Sequence, residues 1–154
     1  FTDELNREML CIKFPGKGEY SLGIDDIPAG TFSARQLRKG INLAEIQNTP
    51  QYMQAVRVRD LLTRLWMAEA KIRGIKLIER STNFRNCPDK ENPALVKSFM
   101  EKFVTNPYIR KILKDYMVNK PIQEDLEREQ EKLRLEAYEV ARPVAHRFSL
   151  TRIH

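Results

Sequence analysis

The chain has 154 residues, with 27 Lys and Arg against 21 Asp and Glu and a formal net charge of +6. This length is enough to bury a sizeable core without disulfides or metals, so we expect a single domain over residues 1–154. Two cysteines, Cys11 and Cys87, are too few and too far apart for a disulfide scaffold, a four-cysteine zinc site or a CxxC redox motif. We expect reduced thiols, with a single bridge as the alternative.

The sequence has no apolar run long enough for a membrane-spanning helix, so no membrane span is expected. The first residues do not have the pattern of a signal peptide, and the chain starts at Phe1 rather than Met. We therefore expect a chain that is either processed or part of something longer.

Residues 1–49 are predicted to be rich in β-structure. An apolar run at 9–14 is followed by a turn at 15–18 and by alternating apolar and polar residues at 20–25, which predicts a hairpin with one buried face. A second turn at Asp25-Asp26 allows residues 27–32 to return antiparallel to the strand before it.

Two helix-start signals follow these strands. Ser33 and Gln36 have the spacing of a capping box, and Gly40 supplies the stop of a short helix. Thr49 as N-cap and Pro50 at the first helical position predict a long helix over residues 50–80. Its apolar stripe consists of Val58, Leu61, Leu62, Leu65, Ala68, Ile72 and Ile75.

Residues 81–121 are predicted to form a loop and a helical hairpin. The stretch 80–92 has no periodicity and is the best loop candidate. Asn92-Pro93 starts one helix, and Asn106-Pro107 starts the next. The apolar sides of the two helices contain Leu95, Val96, Phe99, Met100 and Phe103, and Ile109, Ile112, Leu113 and Tyr116.

Residues 122–154 are predicted to form a long helix and a terminal strand. After Pro143 the apolar period changes from 3.6 to 2, which places Val144, His146, Phe148 and Leu150 on one face of the strand. We expect this strand to join the N-terminal sheet. The predicted fold class is α+β: a small antiparallel β-sheet, made of an N-terminal hairpin plus a C-terminal strand, packed with several long α-helices.

Positive charge is concentrated in the middle of the chain. Residues 50–121 carry 15 basic and 7 acidic side chains, whereas the segments before and after each have a net charge of −1. Arg57, Arg64 and Lys71 share a helical face and could hold an anionic partner, although Lys and Arg are more often ordinary solvated residues. Trp66 flanks the apolar stripe and could pack against a second layer or an absent partner. Acidic residues interrupt the basic face, so a nucleic-acid partner is not expected.

The residues that could carry catalysis form no recognisable motif. His146 lies on the apolar face of the last strand, which favours a packed or hydrogen-bonded histidine over a catalytic base, and His154 is the terminal residue. The carboxylates of Asp25-Asp26 are interpreted as turn formers rather than as an acid/base pair. There is no GxSxG, P-loop or GxGxxG motif and no metal-ligand spacing. We assign no catalytic, cofactor-binding or metal residues and expect no cofactor.

Four sequence blocks occur in a fixed order near the N-terminus. They are YSLGID at residues 20–25, GTFSARQL at 30–37, GINLA at 40–44 and NTPQY at 48–52. Together with residues 1–10, these blocks resemble the region that follows the catalytic core in certain bacterial GDSL-type (SGNH) hydrolases. Residues 141–146 are similar, more loosely, to the C-terminal strand of such proteins. The resemblance covers about residues 1–62 and 137–154, and Asp26 replaces the Gly that commonly follows the Asp in the family motif.

The resemblance implies an α/β/α esterase and acylhydrolase as the parent protein, with a Ser nucleophile, Gly and Asn oxyanion donors and a His base with an Asp. The family places all of these before the segment matched here, so none is carried onto this chain, and Ser33 is interpreted as an N-cap rather than a nucleophile.

Two hypotheses about function follow. The first is the non-catalytic C-terminal portion of an SGNH/GDSL-like ester hydrolase, whose partner is the N-terminal catalytic domain of the same protein. The resemblance also suggests a bacterial periplasmic or secreted location. The alternative is a basic helical binding module for an anionic polymer or protein partner, using the helices of residues 50–121.

Overall fold

The computed structural model describes residues 6–13 and 15–153. In chain order its elements are β1 (Met9–Leu10), β2 (Glu19–Ile24), β3 (Ile27–Ser33), α1 (Ala34–Lys39), β4 (Ile41–Asn42), a 3-10 helix (Leu43–Glu45), α2 (Pro50–Glu79), α3 (Thr82–Arg85), α4 (Pro93–Met100), α5 (Pro107–Asn119), a second 3-10 helix (Lys120–Ile122), α6 (Gln123–Val140) and β5 (Phe148–Ile153). This content confirms the α+β fold class.

The chain divides into two compact units. The first unit contains the residues up to Arg59 and those from Glu139 onward, and the second contains Asp60–Tyr138. All five strands lie in the first unit, and α3, α4 and α5 lie in the second. A single domain over residues 1–154 stays a prediction.

A three-stranded antiparallel sheet in the order β3-β2-β5 belongs to the first unit. The β2–β3 hairpin turns at Asp25 and Asp26, whose φ angles of 50° and 66° are those that a type I′ turn requires of both central residues. On the other side of β2, Leu150 of β5 lies opposite Leu22. The predicted antiparallel return of residues 27–32 and the added C-terminal strand are therefore confirmed, and so is the turn at the two aspartates.

The first strand does not pair as predicted. Residues 9–14 were expected to form a hairpin with residues 20–25, but β1 contains only two residues and pairs with β4. The physical reason is that β3 and β5 occupy both edges of β2, which leaves no edge for β1. Phe14, the last residue of the predicted strand, lies outside the described residues.

The last strand begins later than predicted. It starts at Phe148 rather than Val144, because Phe148 pairs with Ile24 at the end of β2 and the preceding residues extend past the sheet. Val144 is 59% exposed and Phe148 is 44% exposed, whereas Leu150 packs against the core. Val144 therefore lies outside both the strand and its apolar face, and Leu150 is the member of the predicted face that packs against the core.

Helix α1 is held at both ends by the predicted residues. The Ser33 hydroxyl oxygen accepts the Gln36 N–H, and the Gln36 side-chain oxygen accepts the Ser33 N–H, which confirms the capping box. Gly40 ends the helix with a φ of 101°. A Cβ at Gly40 would lie 2.8 Å from Cys11 Sγ, so both its backbone conformation and its surroundings favour glycine. The core of this unit contains Tyr20, Leu22, Ile24, Ala29, Ala34, Leu37, Ile41 and Leu43.

Helix α2 begins with the predicted cap. Thr49 Oγ1 accepts the Tyr52 N–H at 3.2 Å and donates to the Ile46 carbonyl oxygen at 3.0 Å, and Thr49 is itself buried. The helix continues through Gly74 to Glu79. Its buried residues are Leu61, Ala68, Ile75 and Ile78.

The second unit contains a short helix, α3, within the stretch that the sequence predicts to be a loop. Ser81 Oγ accepts the Phe84 N–H, which starts α3 inside the predicted loop 80–92 and places Phe84 in the core. The Phe84 ring meets Tyr116 edge-on at 6.4 Å. The helical hairpin of α4 and α5 is confirmed, with Asn92 and Asn106 as N-caps. The core contains Ile75, Ile78, Phe84, Cys87, Val96, Met100, Leu113 and Tyr116.

Helix α6 buries Leu126, Leu133 and Ala137, while its other side chains are largely exposed and charged. Among the described residues, no helix combines the length and apolar character that crossing a membrane would require.

Candidate functional site

Four charged or titratable residues form a cluster where β5 meets the β2–β3 turn. We call Asp25, Asp26, His146 and Arg147 the turn cluster. His146 Nδ1 lies 2.6 Å from Asp25 Oδ2, and the Arg147 N–H donates to Asp25 Oδ1 at 2.8 Å. The Arg147 guanidinium donates to both carboxylate oxygens of Asp26 at 2.8 Å.

The fold explains why these residues meet. The left-handed turn projects both aspartates beyond the end of β2, and the chain enters β5 at this end of the sheet. The Asp25 N–H donates to the Arg147 carbonyl oxygen at 2.9 Å, so Asp25 binds Arg147 through both its backbone and its side chain. The turn cluster thereby fixes the point at which β5 starts.

The electrostatics of the turn cluster favour an ionised Asp25. The hydrogen bond with the His146 side chain and then the Arg147 N–H hold the pKa of Asp25 below its ordinary value. The His146 side chain is only 12% exposed, whereas that of Asp25 is 38% exposed.

The His146–Asp25 pair has half of the geometry of a hydrolytic triad. A carboxylate that binds Nδ1 orients an imidazole so that Nε2 can act as a base toward a hydroxyl or thiol. In the part of the chain that the structure describes, no Ser, Thr or Cys side chain hydrogen-bonds to His146. His146 is thus hydrogen-bonded, as the sequence predicts, and its assignment as a non-catalytic residue stays a prediction. Its pairing with Asp25 was missed because 121 residues separate the two and no local motif links them.

The remaining candidates have structural surroundings. Ser33 is an N-cap. Cys11 is exposed, Cys87 is buried, and both are free thiols, so the alternative of a bridge is not formed. His154 lies outside the described residues. Within residues 6–13 and 15–153, no group of three or more His, Cys, Asp or Glu side chains could hold a metal ion.

The three basic residues of the predicted anionic surface have different surroundings. Arg57 belongs to the first unit, whereas Arg64 and Lys71 belong to the second. Arg64 Nη2 donates to Glu129 Oε1 at 3.1 Å. Lys71 lines a groove between α2 and α5, and so does Trp66, which is 61% exposed.

The chain was compared with known proteins at the level of families, curated sequences and solved structures. No family model matches it, and no curated protein matches it. Among solved structures, it is similar to one described as BT4096, a gut microbial diltiazem-metabolizing enzyme, with 30% sequence identity and a TM-score of 0.80. The match covers 99% of this chain and 35% of that chain, so the present chain spans about a third of the length of the enzyme that it resembles.

Proposed function

We propose that this chain is a non-catalytic portion of a longer enzyme, an ester hydrolase of the SGNH/GDSL-like type. The observation that carries the proposal is the similarity of nearly the whole chain to about a third of an enzyme chain. A drug-metabolizing enzyme is compatible with a hydrolase, and the four sequence blocks of residues 20–52 resemble the region after the catalytic core of SGNH/GDSL-type hydrolases.

The structural surroundings of the four blocks support a scaffolding role. The first block supplies the buried face of β2 and one residue of its turn. The second supplies residues 30–33 of β3 and the capping box of α1, the third supplies Gly40 and the buried Leu43, and the fourth supplies the Thr49 cap of α2. Residues of these types stabilise turns, caps and a core, whereas catalysis needs a nucleophile and a base in contact.

The first test is the coding sequence immediately upstream of Phe1, where we expect a Gly-Asp-Ser block. The second is turnover of p-nitrophenyl acetate by the purified chain 1–154 and by the whole encoded protein, with His146→Ala made in both. We expect turnover by the whole protein, none by chain 1–154, and little change in the whole protein when His146 is replaced.

Two results would overturn the proposal. Turnover by chain 1–154 that disappears in His146→Ala would make the turn cluster catalytic. An upstream sequence without the Gly-Asp-Ser block, combined with a whole protein that does not hydrolyse the ester, would exclude the hydrolase class. Asp26→Asn is the control, because it perturbs the same turn without touching the imidazole.

A further inference from the structure

The second unit contains a groove of about 420 Å³ lined by one face of α2 and one face of α5. The two helices run in the same direction along it. A Cβ at Gly74 would lie 3.6 Å from Ile112 Cγ2, and five residues later along α2 the Glu79 carboxylate meets Lys120 Nζ at 2.5 Å, just beyond the end of α5. Residues that come early in both helices therefore lie at the same end of the groove.

Two exposed aromatic side chains mark that end. Trp66 is 61% exposed and Tyr108 is 67% exposed, and each is the first residue of its helix to line the groove. Ala70, Gly74 and Ile112 supply apolar surface farther along. A Cβ at Gly74 would make only ordinary van der Waals contact, so packing does not require the glycine, although it weakens a helix relative to alanine. Its lack of a side chain keeps the groove open.

The same groove is rich in positive charge. A second depression also contains Lys111 in its lining, and together the two surfaces have five cationic side chains against two carboxylates. The cations are Lys71, Arg73, Arg110, Lys111 and Lys114, and the carboxylates are those of Asp115 and Glu101. Among the residues that the structure describes, Lys71, Arg73 and Lys111 take part in no ion pair.

The placement of the cations on α5 is unfavourable for the isolated molecule. The first turn of α5 has no acidic residue, and Arg110 and Lys111 lie at the end of that turn and directly after it. The N-terminus of a helix carries partial positive charge, so cations there repel the helix dipole. A negatively charged group bound at this end would interact favourably with both the cationic side chains and the partial positive charge of the helix N-terminus.

We propose that this groove binds an acidic segment of a partner protein that places an apolar side chain on the Trp66 and Tyr108 end. Carboxylates complement the five cations, and an apolar anchor fits the aromatic and aliphatic lining. Tryptophan, tyrosine and arginine are the residues that most often carry the binding energy of protein interfaces. An anionic polymer without apolar groups would leave that lining unused. The proposal goes beyond the hydrolase proposal and does not depend on it.

The test is selection of a random dodecapeptide library displayed on phage against the full encoded chain. We expect enrichment of acidic peptides that contain Leu, Phe or Trp. A synthetic consensus peptide should bind at least about tenfold more weakly to the double variant Arg73→Glu with Lys111→Glu, and more weakly as salt is raised, because salt screens exposed charges. The control is Lys90→Glu with Lys132→Glu, which changes the net charge equally at exposed positions outside the groove.

The aromatic end has its own matched pair of variants. Tyr108→Ala should weaken binding of the consensus peptide at least about fivefold, since truncated aromatic anchors are typical hot spots. Tyr138→Ala should leave binding unchanged, because Tyr138 is equally exposed, at 66%, but lies outside the groove.

Three results with peptides would overturn the proposal. They are no enriched peptide, enrichment of basic or uncharged peptides, and binding that survives the Arg73→Glu with Lys111→Glu change. Tighter binding of polyuridylate or heparin than of the consensus peptide, lost in the same double variant, would assign the groove to an anionic polymer instead of a protein.

Discussion

The carboxylate of Asp25 forms two hydrogen bonds with residues that are distant in the sequence, one with the His146 ring and one with the Arg147 N–H. Both favour the ionised form, which is why the pKa of Asp25 is lowered. A carboxyl group whose pKa falls on folding stabilises the fold above its ordinary value of about 3.9. That contribution is lost as the pH falls through the lowered folded value.

We therefore expect Asp25→Asn to reduce stability near pH 7 and to have a progressively smaller effect below about pH 4. Asparagine tolerates the left-handed turn as well as aspartate does, so the variant removes the charge without straining the backbone. The measurement is urea unfolding of both proteins from pH 7 to pH 2.5, with amide exchange at Leu150 as a local probe of β5. A difference that is constant over this range would show that the charge of Asp25 does not stabilise the strand.

At this scale, local residue roles could be predicted from the sequence and distant pairings could not. The roles of Ser33, Thr49 and Asp25-Asp26 depend on neighbours within a few residues, so a capping box or a turn is visible in the sequence itself. The His146–Asp25 contact depends on where β5 lies in the sheet, which no local pattern specifies.

At the scale of the elements, the start of helix α2 depends on the side chain of Thr49. Thr49 is 1% exposed, and its hydroxyl both accepts the Tyr52 N–H and donates to the Ile46 carbonyl oxygen. We expect Thr49→Ala to lower the free energy of unfolding by about 1–2 kcal/mol, because a lost N-cap leaves backbone donors without partners. Thr49→Ser is the matched control, since it keeps the hydroxyl. The measurement is urea unfolding of both variants. If they lose the same free energy of unfolding, the lost methyl packing rather than the lost hydroxyl cap would be responsible.

The helices with a strong apolar periodicity were predicted well. The first strand, whose pairing depends on which other strands take the edges of β2, was not. The helices from Pro50, Pro93 and Pro107 all begin with a cap signal and were found where expected. Residues 9–14 were expected to pair with residues 20–25, but β3 and β5 occupy both edges of β2, an outcome that depends on the whole sheet and not on local sequence. The helix after Ser81 is only one turn long, too short for a periodic pattern.

At the scale of the whole molecule, the two compact units have separate cores, built on the sheet in one and on α3, α4 and α5 in the other. Leu37 is fully buried in the first core and Leu113 is 1% exposed in the second. Leu37→Ala and Leu113→Ala should each cost about 2–5 kcal/mol of stability, as large-to-small changes in a core do. Truncation in one core should expose the amides of that unit first, since local stability follows local packing.

Amide hydrogen exchange of the two variants measures this directly. Leu37→Ala should speed exchange mainly in β2 and β3, and Leu113→Ala mainly in α4 and α5. If either variant accelerates exchange equally in both units, the chain unfolds as one cooperative body, and the single domain expected from its length would gain support.

Gly40 has a consequence for tracing the ancestry of this chain. Two independent reasons disfavour a side chain at this position. The φ angle of 101° is one that residues with a Cβ rarely adopt, and a Cβ would lie close to Cys11 Sγ and Met9 Cε. A side chain here would need both a changed helix exit and a displacement of the Cys11 and Met9 side chains. We therefore expect distant relatives that share this helix exit to keep the glycine, which would make it a fixed point for aligning their sequences.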